Sequence, residues 1–163
     1  MFASMRKALF LYLGILILLI VYFAPGAYRK AKMDEEVDRL CSTAGGIKVY
    51  ERVLLPANKF NRWGDPDVPR ASNFRAAGGH DYFLEDDLRA LVKGNPSGKG
   101  DPTLHRFYYR VVRNSDRKVL GEAISFSRFG GDADHPFHPS SYVGCTEMWS
   151  LKKLFESVFE KEK

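Results

Sequence analysis

The chain has 163 residues, 45% of them hydrophobic, with 25 Lys and Arg against 20 Asp and Glu and a formal charge of +5. That basic excess invites a nucleic-acid reading, but its distribution removes it. Arg6, Lys7, Arg29, Lys30 and Lys32 precede the first acid, Asp34, and from Asp34 onward the two signs balance. The surplus flanks one apolar segment, where it suits headgroup contact and topology, and the remainder has no net charge with which to hold phosphates.

From Ala8 to Ala24 no residue is charged, and the run extends through Pro25 and Gly26 to Tyr28. That is about 21 residues, or roughly 30 Å of helix, the thickness of a hydrocarbon core. Tyr22 and Tyr28 sit toward one end, where amphipathic rings favour the headgroup level. A cleavable signal peptide is the rival reading, with Arg6-Lys7 as its basic start and Ala24-Pro25-Gly26 as its cleavage site. Its apolar core would usually be only about 7–15 residues, and Arg29, Lys30 and Lys32 suit the flank of an anchor. The expected division is a cytoplasmic tail over 1–7, a transmembrane signal-anchor over 8–28 and a soluble domain over 29–163. The basic flanks nearly tie by the positive-inside rule; a short tail before a long domain favours the domain outside.

"MDEEVDRLC" begins as a helix, with acids in its first turn and Met33, Val37, Leu40 and Cys41 at helical spacing. Pro25-Gly26 leaves open whether it continues the span. "STAGG" supplies a glycine stop. "IKVYERVLLP" reads as one half-buried strand, with Ile47, Val49, Val53 and Leu55 on one face, ended by Pro56. The stretch to Gly79 reads as loop with one short helical turn. "HDYFLEDDLRALVKG" fits either a helix face or two short strands turning at Glu85-Asp86-Asp87; its strand neighbours favour the second. "LHRFYYRVVR" and "KVLGEAISFSRF" form a hairpin across "NSDR". "GGDADHPFHPSSYVG" is loop. "MWSLKKLFESVFEKEK" is an amphipathic helix whose apolar stripe is Met148, Leu151, Leu154, Phe155, Val158 and Phe159. The expected fold is α+β: an N-terminal transmembrane helix, then a small, mostly antiparallel sheet domain with a helix near each end.

Cys41 and Cys145 are the two cysteines. No Cys-x-x-Cys pattern marks a zinc or redox site, which leaves two free thiols or one disulfide. An even count behind an export-like N-terminus favours the disulfide and an oxidising compartment.

Asp132, Asp134, His135 and His138 put four oxygen and nitrogen ligands in one short stretch, the best metal candidate. The prolines around them make a stiff surface loop the blander reading. "GNPSGKGDP" lacks the spacing and the final Ser or Thr of a phosphate loop, and no Gly-x-Ser-x-Gly elbow is present. Phe107, Tyr108, Tyr109, Phe126 and Phe129 with Arg106, Arg110 and Arg128 form either a ligand face or core on one side and solvated arginines on the other; the second reading is preferred. No catalytic motif and no cofactor motif emerges.

"DRLC", "GGIKVYERVLLP" and "HPSSYVGC" resemble segments of small, uncharacterised bacterial proteins with one N-terminal membrane segment and an exported C-terminal domain. The resemblance covers about Asp34 to Cys145. It implies an envelope location and adds weight to pairing Cys41 with Cys145, and it implies no activity. The expectation is therefore a non-enzymatic interaction domain on the inner membrane, facing the periplasm or the outside, with the bilayer and an envelope protein as partners. A metal-binding or hydrolytic enzyme using the Asp132–His138 loop is the alternative. A cytosol-facing domain with two free thiols is the third reading.

Overall fold

The computed structural model describes residues 2–71, 79–95, 101–132, 141–145 and 150–162, with side chains from residue 10 onward. Helix α1 runs unbroken from Phe2 to Thr43, with Pro25 inside it. Pro25 costs one amide donor, which leaves the Val21 carbonyl without its usual bond. Membrane helices tolerate such a break, and the helix continues straight into the acidic segment. Ala44 and Gly45 then both donate to the Leu40 carbonyl at 2.9 Å, and Gly46 turns the chain away at φ +133°. The glycine stop is where the sequence places it. At 1.5 Å per residue, the 42 residues span about 63 Å. Within Phe10–Thr43 lies one stretch apolar and long enough to cross a membrane, and the rest of the protein covers none of it.

The domain is built on a five-stranded antiparallel sheet. Its strands are β1 (Gly46–Val49), β3 (Tyr82–Val92), β4 (Thr103–Arg113), β5 (Val119–Phe129) and β6 (Tyr142–Gly144). β3, β4 and β5 lie side by side, and β1 and β6 share the outer edge of β5. β1 covers residues 121 to 124 of that edge and β6 covers 127 to 129. Between them the Cys145 amide donates to the Phe126 carbonyl at 3.3 Å. A separate parallel pair joins β2 (Val53–Leu55) to β7 (Phe159–Lys161). A 3-10 turn covers Ala57–Lys59, and helix α2 covers Ser150–Val158.

Four local expectations change. Tyr142–Gly144, read as loop, form β6 and pair with residues 127 to 129 of β5. "IKVYERVLLP" is two strands in two sheets, because the Tyr50 and Glu51 amides both donate to the Leu120 carbonyl and end the first pairing. Glu85, Asp86 and Asp87 are not a turn. They sit within the single strand β3, opposite Arg110, Tyr109 and Tyr108. Arg110 lies 2.6 Å from Glu85 and Arg106 3.2 Å from Asp87, so cross-strand cations offset the run of acids. The final helix stops at Val158, and Phe159 begins β7 while keeping its place in the core.

The core lies between α2 and one face of the sheet. Leu154, Phe155 and Val158 meet Leu84, Val111, Leu120 and Ala123, with Leu55 and Phe159 from the parallel pair. Gly121 lets α2 approach closely: an added Cβ would lie 2.6 Å from Val158 Cγ2. Gly121→Ala should destabilise the domain by about 1–3 kcal/mol through overpacking. Adding Val158→Ala should return part of that loss, read as urea unfolding midpoints of the two variants. A second change that adds its full cost would place the contact elsewhere.

Candidate functional site

The last third of α1 is fastened to the sheet at three successive points. The Lys30 ammonium pairs with Asp132. Four residues on, Asp34 Oδ1 accepts from Arg128 Nε at 2.5 Å. Cys41 is disulfide-bonded to Cys145, with Cα atoms 5.4 Å apart. Val37, between these points, is fully buried. Moving up the helix from 30 to 41 moves back from Asp132, beyond the end of β5, through Arg128 to Cys145, whose amide donates to Phe126, so α1 lies antiparallel to β5. The strands therefore run along the helix axis. At 3.3 Å per residue, the start of β5 stands about 33 Å from its end at Phe129, on the side away from Lys30 and Asp132.

Asp132 carries the load nearest the span. Burial would raise its carboxyl, but Lys30 and the Ser141 amide outweigh burial and hold it down at about 2. A depressed carboxylate stabilises fully above its unfolded value and loses that contribution as pH falls through the folded one. The loss falls between about pH 4 and about pH 2. Asp132→Asn should show a shallower fall in stability than wild type across that window, followed by circular dichroism. Parallel curves would mean that the pair does not form.

The far end of the sheet holds an open cleft of about 490 Å³, lined by Gly79, His80, Asp81, Tyr82, Arg113, Asn114 and Ser115. The β4–β5 turn forms one wall. The Arg113 amide donates to the Lys118 carbonyl, and Asn114 Nδ2 donates to the His80 carbonyl at 3.2 Å. Arg117 closes the turn at φ +59°, a left-handed conformation uncommon for a residue with a side chain. Arg113 pairs with Glu51 and with Asp116 at 3.0 Å, so its charge is already balanced.

Beside the cleft stands a tightly built loop. Asn61 Oδ1 accepts the Trp63 amide at 2.9 Å and the Asp65 amide at 3.0 Å, an Asx turn. The Asn61 amide donates to the Asp65 carbonyl, and Phe60 bridges Pro66. Gly64 supplies φ +83°. At the tip, Trp63 is 67% exposed and Arg62 stacks on its ring at 3.9 Å. The stem touches the cleft wall: Lys59 lies 3.7 Å from Asp81, and Asp67 lies 3.7 Å from His80.

The sequence candidates divide. Cys41 and Cys145 meet, and so do Lys30 and Asp132. Arg29 and Lys32 are exposed at the level where the span ends. Arg6 and Lys7 lie on α1, with side chains outside the described residues. Asp134, His135 and His138 also lie outside them, as does residue 99 of the glycine-rich stretch. Among the described residues no group of three or more His, Cys, Asp or Glu converges, and Asp132 faces Lys30 and Ser141. Arg106 and Arg110 are half-exposed partners of acids, whereas Arg128, expected to be solvated, is fully buried. The cleft and Trp63 were not singled out from sequence. The available signal was "NRWGDP", a tryptophan inside turn residues and outside any apolar period.

Fold and site together define an α+β domain mounted rigidly on one candidate membrane helix, with a cleft at the end away from that helix. No protein family, curated protein or solved structure matches the chain.

Proposed function

We propose that this chain is a single-pass inner-membrane protein whose domain faces the periplasm or the outside and binds an envelope partner at its membrane-distal end, without catalysis of its own. The observation that carries this reading is the Trp63 loop. A large ring left open on a loop fixed by its own hydrogen bonds is a preordered anchor, which loses little entropy on binding. Tryptophan, tyrosine and arginine dominate interface hot spots, and Arg62, Trp63 and the exposed Tyr50 lie in the segment leading to this end. The Cys41–Cys145 bond supports an oxidising compartment. The anchor confines the site to two dimensions and raises its effective concentration toward other membrane-bound partners.

Photo-crosslinking tests this. A photoreactive residue at position 63 should give a defined adduct in intact cells, and one at Lys152, on the exposed face of α2, should not. Trp63→Ala should weaken partner retention by about 2 kcal/mol, roughly 30-fold. An adduct at Lys152 alone would move the binding surface and end this reading.

A further inference from the structure

We propose that the end of the sheet nearest the span rests in the lipid headgroup layer, with Tyr142, Leu91, Val92 and Lys93 as the contact. The phospholipid bilayer then holds this chain twice, through α1 and through the rim of its own domain. The inference rests on the reading of α1 as a membrane span.

Two chains of contact fix the level of this rim. Val92 pairs with Leu104 and Leu104 with Arg128, which donates to Asp34 of α1. Asp34 is six residues beyond Tyr28, where the charge-free run ends, or about 9 Å along the helix. Tyr142 pairs with Phe129, one residue nearer the span, at about 6 Å. The second chain starts at Lys30, about 3 Å beyond Tyr28, and passes through Asp132 to its neighbour Gly131. Gly131 packs on Pro102, whose Cβ an added Cβ would meet at 2.9 Å, and Gly94 packs on the Pro102 carbonyl. Lys93 therefore adjoins a contact at the level of Lys30.

The headgroup layer is about 5–7 Å deep on each side of the hydrocarbon. Tyr142 and Gly94 fall within that depth, and Val92 stands at its outer margin. β3 lies two strand spacings, about 10 Å, to one side of β5. The ordinary helix tilt of about 20°, taken toward β3, lowers Val92 by about 3 Å into the same layer.

The side chains at this level suit lipid. Tyr142 is 59% exposed, Leu91 46% and Val92 40%. Tyrosine rings favour the headgroup level, and leucine and valine gain by leaving water. Lys93 is exposed beside them, as are Arg29 and Lys32 on α1, and cations there meet lipid phosphates. The space also chooses the occupant. A gap of about 9 Å is thinner than one helix with its side chains, too thin for a folded partner. Three apolar or aromatic side chains alone would hold a free domain weakly. Here the span already tethers them, so the contact forms at high effective concentration. Held at two points, the domain stands upright with its far end at a set height.

The test uses the full chain in vesicles of phosphatidylcholine and phosphatidylglycerol, with and without bromine on the upper acyl chains. Trp63→Phe with Trp149→Phe removes both native indoles. One reporter is then placed at a time: Tyr142→Trp at the rim, Val21→Trp in the span and Ser115→Trp at the far end. Brominated lipid should quench the emission of Tyr142→Trp and Val21→Trp and leave that of Ser115→Trp unchanged. Leu91→Glu with Val92→Glu should remove about half or more of the quenching at 142 and leave that at 21 intact. Leu91→Gln with Val92→Thr, which suits a strand, should act in the same direction. Quenching at 21 with none at 142 overturns the docking and leaves the span standing. Quenching at 142 that ignores both pairs of substitutions also overturns the docking, since the helix alone would then set the level. Absence of quenching at 21 removes the span and the docking with it.

Discussion

Replacing Cys41 and Cys145 by alanine should lower the unfolding free energy of the domain by about 4 kcal/mol. The bond closes a separation of 104 residues, and chain entropy in the unfolded state gives that order of magnitude. The loss should be uneven. Cys41 lies five residues before β1, and Cys145 directly follows β6. These strands have only four and three residues and share the outer edge of β5. So few ladder bonds hold poorly alone. The β3–β4–β5 meander has 11 residues per strand and keeps its own pairings. Hydrogen exchange should therefore quicken at β1, β6 and the end of α1 well before it does in β3 and β4. Urea unfolding of the double variant in micelles measures the total. A cost below about 1 kcal/mol would mean that the contacts of α1 with β5 and β6 suffice without the bond.

The outline of this fold was legible where one physical signal dominated. A long charge-free run, a glycine stop and alternating β-branched and aromatic residues gave the span, the end of α1 and the β4–β5 hairpin. Other features depend on distant partners. Nothing within "LEDDLR" says that three acids can sit in a strand; Arg106 and Arg110 on the neighbouring strand make that tolerable. Nothing within "ERVLLP" says that Val53 leaves the main sheet, because its partner is Phe159, at the other end of the domain. The cleft was illegible for the same reason: His80 and Asn114 belong to different strand ends and meet through the register of β3 with β4. Arg128 is the instructive miss. In sequence it looks like Arg106 and Arg110, which stay half-exposed, and its burial comes from α1, laid over that end of β5, with Gly130 and Ser141 beside it.

Arg128 also gives the second large effect. Its side chain is 1% exposed, and Asp34, its counter-charge, is 30% exposed. The guanidinium also donates to the Gly130 carbonyl and to Ser141 Oγ at 2.9 Å, while its Nη2 has no partner among the described residues. Asp34→Ala leaves a buried cation without compensation and should cost about 3 kcal/mol. Arg128→Met with Asp34→Leu removes both charges, keeps the volume and should recover most of that loss, since an apolar pair avoids the desolvation of two ions. The recovered variant should retain the orientation that the ion pair imposes, because Val37 and the disulfide still fasten α1 to β5 and β6. The single variant should behave differently. Water entering beside an unpaired Arg128 loosens the helix at the point between Lys30 and Cys41, and the anchor then meets the domain through a hinge. Spin labels at Lys32 and Lys48 would report a broadened distance distribution in Asp34→Ala and a narrow one in the double variant. Equal stability of the wild type and Asp34→Ala would show that solvent already reaches Arg128, and the rigid mounting of the domain on its helix would have to be given up.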